Sequence, residues 1–187
     1  MRVPEFTQSE EASRKTFLAL LQATSLPGSI HQLSQASYPE NFIAIAEALI
    51  DLETTFFSPD PEISQALERT GARAVDVSEA EYQLWPTLRQ DDLEVIKTAS
   101  VGTMVYPDSS ASLYLGCQLE QGLPLLLTGP GIDGEIEIQV AGVPESFWIV
   151  RNELTSYPLG WDVFLVHDGQ VLAIPRSTEV NIGPRSH

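Results

Sequence analysis

The sequence predicts an α/β fold in which a layered, mixed β-sheet is flanked by helices. Helical spacing dominates the first hundred residues and strand patterns dominate the rest, while one continuous apolar run, residues 123–129, is typical of a central strand covered on both faces. The 187 residues are enough for one hydrophobic core. We therefore expect a single domain over residues 1–187, helix-rich to about residue 100 and strand-rich after it.

Helical periodicity predicts the early helices. In the first of them Phe17, Leu20 and Leu21 recur at helical spacing, and either Thr7 or Ser9 is suited to cap the N-terminus. The third is expected to stop at Gly71, because glycine commonly follows the last turn of a helix. The predicted helices of this half cover residues 9–24, 41–52, 58–72 and 87–100.

Alternating or β-prone segments predict the strands. Residues 161–175 contain Asp168-Gly169, a dipeptide that favours a two-residue type I′ hairpin turn because both central residues need a positive φ. A later helix with proline at its start is predicted over residues 144–158. The other predicted strands cover residues 29–33, 53–57, 80–85, 111–119, 123–129 and 135–140.

The charge of the chain limits its partners. There are 26 acidic and 10 basic residues, a net charge of −16, and no basic cluster, so a nucleic-acid partner is excluded. No apolar run approaches the ~18 residues that span a bilayer, and the N-terminal residues have no apolar segment of a secretory signal. Since Cys117 is the single cysteine, no internal disulfide forms. We expect a cytoplasmic protein.

The stretch Leu-Thr-Gly-Pro-Gly-Ile-Asp-Gly admits two interpretations. Gly129, Gly131 and Gly134 have the spacing of a dinucleotide-binding loop, but Pro130 removes an amide from it and a strand pattern follows where that loop needs a helix. The lysine of a P-loop is absent as well. A glycine-rich turn between strands is favoured over a nucleotide site.

No catalytic constellation emerges from the reactive residue types. The histidines, His31, His167 and His187, are scattered and form no metal-ligand spacing, and Cys117 on a predicted strand is expected to be a buried, inert thiol. A pyridoxal phosphate enzyme needs a lysine on a phosphate-lined loop, whereas Lys15 and Lys97 lie on predicted helices. We assign no catalytic, cofactor-binding or metal-binding residue.

Asp162 and Arg176 flank the predicted hairpin at its open end. The two side chains are placed to form a charge pair or to bond local backbone, and Arg176 alone could instead hold an anion. The structural role is favoured, since a phosphate usually recruits several donors and no second basic residue is near in sequence.

Four stretches resemble one known family. Residues 17–30, 101–115, 125–132 and, most specifically, 157–180 resemble PhnH, a subunit of the carbon–phosphorus lyase system of bacterial phosphonate metabolism. The last stretch contains Pro-Leu-Gly-x-Asp, a hairpin, and then Ile-Pro-Arg-Ser-Thr. The match runs in order from Phe17 to Val180 and is loose only over residues 31–100.

The resemblance implies a function that residue patterns do not show. PhnH proteins are similar in fold to pyridoxal phosphate-dependent transferases without the cofactor site, form homodimers, and join PhnG, PhnI and PhnJ in the lyase core complex. That system couples a phosphonate to ribose triphosphate, displacing adenine from ATP, with catalysis by PhnI and by the iron–sulfur subunit PhnJ. The resemblance thus implies a non-catalytic assembly subunit without cofactors, and the alternative is a free-standing protein that binds or converts a phosphorylated small molecule.

Overall fold

The computed structural model describes residues 7–184, which form a central sheet with helices on one face and helices plus a second, small sheet on the other. The helices in this part of the chain are α1 (Gln8–Ser25), α2 (Glu40–Leu49), α3 (Pro61–Glu68), α4 (Leu93–Ile96) and α5 (Glu145–Leu154). None of them is long and apolar enough to cross a membrane. The predicted α/β class with a mixed sheet is confirmed.

The central sheet has seven strands in the described residues: β1 (Ile30–Gln32), β2 (Thr55–Phe57), β3 (Arg73–Ala74), β4 (Tyr82–Trp85), β5 (Ser112–Gly116), β8 (Asp162–His167) and β9 (Gln170–Ile174). Their order is β1-β9-β8-β5-β4-β2-β3. The five strands from β3 to β8 are parallel, and β9 and β1 complete the sheet in antiparallel fashion. The small sheet is antiparallel, with order β10-β6-β7, and contains β6 (Gln118–Thr128), β7 (Ile136–Ala141) and β10 (Glu179–Ile182).

Alternation along the central strands divides the core in two. Tyr114 and Phe164 face α1, α2 and α3, and their rings stack with centroids 4.7 Å apart. Their neighbours Leu113, Leu115 and Leu165 face the other way, toward α4, α5 and the small sheet. Because both faces are covered, β5 and β8 are apolar at every position between their end residues, as parallel strands in α/β proteins generally are.

Local signals placed several boundaries correctly. Thr7 caps α1 in a reciprocal capping box, in which the Glu10 amide donates to Thr7 Oγ1 (3.3 Å) and the Thr7 amide donates to the Glu10 carboxylate (2.7 Å). Asp168 and Gly169 have φ of 42° and 75°, so the predicted hairpin turn between β8 and β9 is confirmed.

Three predictions of single elements were wrong. The helix predicted over 87–100 is reduced to a 3₁₀ turn, Gln90–Asp92, and the one turn of α4, because Arg89 is extended and its amide is capped by Asp92. The strand predicted over 111–119 breaks at Cys117, where the chain passes from the central sheet into the small one. The apolar run 123–129 belongs to β6 and is central only in the small, antiparallel sheet, where Leu125 and Leu127 face the core while Leu123 and Leu126 are half-buried.

Candidate functional site

The hairpin of β8 and β9 brings Asp162 and Arg176 together. The Arg176 Nη2 atom lies 2.5 Å from Asp162 Oδ2, and its Nε lies 3.3 and 3.2 Å from the two carboxylate oxygens. The Arg176 amide also donates to Asp162 Oδ1 (2.8 Å). The side chains are only 16% and 24% exposed, for Arg176 and Asp162 respectively, so the pair is held largely out of solvent.

The remaining donor of Arg176 holds a surface loop. Its Nη1 donates to the carbonyl of Pro107, inside a loop that is closed by an isolated antiparallel bridge between Val101 and Ser110. The loop tip is apolar and exposed: Met104, Val105 and Tyr106 are 72%, 75% and 65% accessible. Because each nitrogen of the guanidinium has a protein acceptor, the geometry favours the structural interpretation of Arg176 over anion binding.

A second arginine lies beside this pair. The sequence does not predict this proximity, because the two arginines are far apart along the chain. Arg151 on α5 is 1% exposed, and its Nη2 donates to the carbonyl of Pro175 (2.9 Å), next to Arg176. Burial lowers the pKa of Arg151 to about 10, and the charge of Asp162 opposes that shift. Asp162 is therefore flanked by two cations, one of them paired directly.

The glycine-rich stretch is a turn between antiparallel strands. It joins β6 to β7, and no helix follows it. Gly129 and Gly131 have φ of 141° and 86°, and a Cβ on Gly129 would come within 2.8 Å of the Ser177 carbonyl oxygen. Backbone geometry therefore accounts for these two glycines, and the stretch has no helix N-terminus to receive a pyrophosphate.

The reactive residue types considered above are dispersed. His31 lies on β1 with its Nε2 2.8 Å from Ser29 Oγ, and His187 lies outside the described residues. Lys15 is exposed on α1, and Lys97 forms a surface ion pair with Glu94 (2.7 Å). Within residues 7–184 no three His, Cys, Asp or Glu side chains are grouped to hold a metal ion.

The cavity best placed for a ligand is a crevice of about 480 Å³ at the carboxyl edge of the parallel strands. Its walls include residues from the segments that follow β2, β4, β5 and β8, and it is closed on one side by the start of α2. The connections after β2 and β4 run to opposite faces of the sheet, since α3 packs with α1 and α2 whereas α4 packs with α5. Open α/β sheets bind ligands at such a switch point.

One wall of the crevice is fixed by Asp60. Its Oδ1 accepts the amides of Glu62 (2.9 Å) and Ile63 (3.1 Å) at the N-terminus of α3, and its Oδ2 accepts the Tyr38 hydroxyl. The Tyr38 hydrogen bond, together with the two amides, lowers the pKa of Asp60. Burial and, secondarily, Asp60 raise the pKa of Tyr38 to about 12. Tyr38 and Asp60 therefore hydrogen-bond to each other, and Asp60 also caps the N-terminus of α3.

The opposite wall contains His167 and Cys117. The Leu119 amide donates to His167 Nδ1 (3.3 Å), so the neutral ring carries its proton on Nε2, which lies 3.6 Å from Asp168 Oδ2. Cys117 is half-buried, not buried as the sequence predicts, and partial burial raises the pKa of its thiol to about 12. Cys117 is thus a protonated thiol at neutral pH, not an activated nucleophile.

Arg89 supplies the cation of the crevice. No carboxylate in the described part of the chain pairs with its guanidinium, and Asn41, 4% exposed, faces the same cavity. The lining therefore offers a cation, a histidine N–H and carboxylates for binding a polar small molecule. Sequence reasoning missed Tyr38, Asp60 and Arg89 as a group, because only the sheet order brings them together.

The fold and this crevice define a class: an α/β protein with a mixed seven-stranded sheet and a polar crevice at the switch point of its parallel strands. The sequence profile of the family described as "Bacterial phosphonate metabolism protein (PhnH)" matches residues 4–181. The chain belongs to that family.

Two relatives are similar to this chain over most of their length. One is the "Putative C-P lyase subunit protein HtxG" of Stutzerimonas stutzeri, 29% identical over 169 residues, which cover 89% of this chain and 84% of the relative. The other is the "Alpha-D-ribose 1-methylphosphonate 5-triphosphate synthase subunit PhnH" of Rhizobium meliloti (strain 1021), 30% identical over 183 residues and 90% of each chain. The resemblance to PhnH seen in the sequence is thereby confirmed.

Proposed function

We propose that this chain is a non-catalytic subunit of the carbon–phosphorus lyase core complex in phosphonate catabolism. In this role it is required, with PhnG and PhnI, to form alpha-D-ribose 1-methylphosphonate 5-triphosphate from ATP and methylphosphonate. The observation that carries the proposal is the family match over residues 4–181, together with a relative that is named as a subunit of that synthase.

Several finer points belong to the same proposal. The chain forms a homodimer, joins PhnG, PhnI and PhnJ, and works in the cytoplasm, where ATP is supplied. Its fold is a relative of the pyridoxal phosphate-dependent transferases without their cofactor site, and residues 1–187 act as one domain. The central sheet supports the last point, because both halves of the core pack on it.

Co-expression tests the assembly role. The chain is produced alone and with PhnG, PhnI and PhnJ from the same host, and native mass spectrometry gives the mass of each assembly. We expect a dimer alone and a stable larger complex containing all four subunits. A chain that remains outside every complex would contradict the proposal.

Complementation tests the non-catalytic part. A strain lacking this subunit is supplied with the wild type or with Arg89→Ala or His167→Ala, and grown on methylphosphonate as the sole phosphorus source, with inorganic phosphate as the control. We expect both variants to restore growth and to assemble normally. If they assemble but fail to restore growth, the crevice takes part in the chemistry.

The crevice also favours one alternative function, a small-molecule phosphate- or nucleotide-binding protein acting on its own. Arg89 is the group that would meet such an anion. Titration calorimetry with ATP and with methylphosphonate tests this function. Heat at micromolar ligand that disappears in Arg89→Ala supports it, and the absence of heat contradicts it.

A further inference from the structure

The loop of residues 101–110 is tied to the fold at its base. An antiparallel bridge joins Val101 to Ser110, and the Ser100 hydroxyl donates to the carbonyl of Ser109 (2.9 Å), so the two ends of the loop are held together. Strand β5, the middle strand of the central sheet, begins two residues after the loop. The loop is therefore anchored to the centre of the fold.

The middle of the loop is fixed as well. The Arg176 guanidinium donates to the Pro107 carbonyl, the Thr103 amide donates to the carbonyl of Tyr106 (3.0 Å), and the Tyr106 amide donates to Thr103 Oγ1 (3.0 Å). Gly102 has a φ of 79°, and a Cβ there would lie 2.7 Å from the Pro107 carbonyl oxygen. A loop that is ordered in this way loses little conformational entropy when it binds a partner.

Despite this support, the loop holds apolar side chains in solvent. The exposed side chains are Met104, Val105 and Tyr106, which we call the apolar tip. Tyr157, 74% exposed, lies on the neighbouring turn, and this turn ends at Gly160, whose amide donates to the carbonyl of Val101 (3.0 Å). Grouped apolar side chains on a protein surface mark interaction sites, and tyrosine and methionine are enriched in interfaces.

Charge determines which partner fits the apolar tip. The loop and the neighbouring residues 152–160 contain two carboxylates, Asp108 and Glu153, and no lysine or arginine. Both are exposed, and neither forms an ion pair within residues 7–184. Lys97, which precedes the loop, and Arg176, which contacts it, are each already paired with a carboxylate. An apolar pocket with lysine or arginine side chains at its border therefore complements this surface.

The apolar tip lies at the opposite edge of the sheet from the crevice. The loop precedes β5 and the Tyr157 turn precedes β8, so both lie at the amino ends of parallel strands. The crevice lies at the carboxyl ends of the same strands. A partner that binds the apolar tip thus leaves the crevice open.

We infer that the apolar tip anchors this chain to a different subunit of its complex, one that offers an apolar pocket bordered by lysine or arginine side chains. The inference rests on the proposed function and adds the surface and the chemistry of the contact. The pair of Asp162 and Arg176 holds the anchor in its binding conformation before the partner arrives.

Co-expression with PhnG, PhnI and a tagged PhnJ tests the anchor. Val105→Lys places a cation where both the pocket and its basic border reject one, and Leu52→Lys, at a side chain 73% exposed before β2, is the matched control. Mass spectrometry quantifies this chain in the purified complex. We expect at least tenfold less of Val105→Lys than of the wild type, and no change for Leu52→Lys. Circular dichroism and urea denaturation establish that both variants are folded.

A charge reversal tests the chemistry of the border. Asp108→Lys and Glu68→Lys change the net charge equally, but Glu68 is exposed on α3, on the other face of the central sheet. With the complex washed in 0.05 M NaCl, we expect at least threefold less of Asp108→Lys than of the wild type and no loss of Glu68→Lys. Equal recovery of the two variants would overturn the basic border.

The outcomes separate this inference from the proposed function. A wild-type chain that stays outside the complex overturns the proposed function, whereas a wild-type chain and Val105→Lys that are retained equally overturn the anchor alone. Sedimentation velocity of the isolated chain covers the remaining occupant, a second copy. If Val105→Lys changes the oligomeric state of the isolated chain, the tip joins two copies of this chain and the inference is wrong.

Discussion

Asp162 is the residue at which most polar contacts at the open end of the β8–β9 hairpin converge. One carboxylate fixes the backbone and the guanidinium of Arg176, and through Arg176 it positions the Pro107 carbonyl and the exposed loop above it. The role of this pair is thus to hold a loop in place. The contribution of this pair to stability depends on its burial. An unpaired charge in a partly buried site lowers the free energy of unfolding far more than an unpaired charge in water.

Replacing Asp162 by alanine is expected to lower the free energy of unfolding by about 3 kcal/mol, because Arg176 keeps its charge in a site that is only 16% exposed. Urea denaturation measures the change. Glu94→Ala, which breaks the exposed Lys97–Glu94 pair, is the control and is expected to cost about 0–1 kcal/mol. Similar losses in the two variants would show that the Asp162 pair is an ordinary surface contact.

Cys117 is expected to resist alkylation at neutral pH. A pKa raised from 9.0 to about 12 reduces the thiolate fraction at pH 8 by roughly a thousandfold, and only the thiolate reacts. Mass spectrometry after iodoacetamide treatment gives the rate, with the urea-unfolded chain as the reference. The rate should rise with pH well beyond pH 9 for as long as the fold persists. Fast labelling of the folded chain at pH 8 would refute the inert-thiol interpretation.

At the scale of elements, predictions succeeded where a feature is encoded locally. The Asp168-Gly169 turn and the Thr7 cap each depend on a few neighbouring residues, so their chemistry can be seen in the sequence. The break at Cys117 depends on β7, with which Gln118 and Leu119 pair more than twenty positions further on, and the small sheet around residues 123–129 is completed by β10, whose residues lie more than fifty positions away from their partners. An apolar run has the same composition in either sheet, and its location follows only from pairing.

The candidate crevice shows the same division. Arg89 and Asp60 are ordinary surface charges in the sequence, and they become neighbours of one cavity because β2 and β4 are adjacent and parallel. By contrast, Asp162 and Arg176 were predicted as a pair because one hairpin with a recognisable turn separates them. The sites that can be predicted from one sequence are those joined by short, regular connections.

Two glycines with the same φ allow the cost of backbone strain to be distinguished from the cost of steric crowding. Gly169 and Gly134 both have φ of 75°, but a Cβ on Gly169 would lie 2.6 Å from the Ala36 Cα, whereas a Cβ on Gly134 meets nothing within 4 Å. We expect Gly134→Ala to cost about 1 kcal/mol of unfolding free energy, from the left-handed backbone alone. Gly169→Ala should cost at least about 2 kcal/mol more, because backbone must move. Thermal and urea unfolding of both variants measure the difference, and equal losses would mean that the Ala36 segment yields freely.

For the whole molecule, the uneven distribution of charge is the dominant property. The net charge is −16, yet the sequence has no Asp or Glu over residues 12–39. Salt screens the repulsion between two copies of this acidic chain, and it also screens the attraction between this chain and a basic partner. The two kinds of association therefore respond to salt in opposite directions.

Salt is therefore expected to strengthen self-association and to slow association with basic partners. Raising NaCl from 0.05 to 0.5 M shortens the Debye length from about 14 to about 4 Å and screens the repulsion between two acidic copies. Sedimentation equilibrium should show a tighter dimer, while stopped-flow mixing with partner subunits should show a slower encounter. A dimer that weakens with salt would indicate an interface built on charge pairs.

The packing of α1 on β9 has a consequence for synthesis of the chain. The helix leaves the ribosome first, but the strand it rests on ends at Ile174, about 150 residues later, an interval on the order of 10 s at about 5–20 residues per second. During that time α2 is available to cover part of the inner side of the helix, but the part that rests on β9 has no partner, and a holding chaperone is its natural substitute. Nascent chains arrested before residue 170 should bind such a chaperone through α1, and full-length chains should not. Equal binding by both would show that α1 needs no protection before β9 is made.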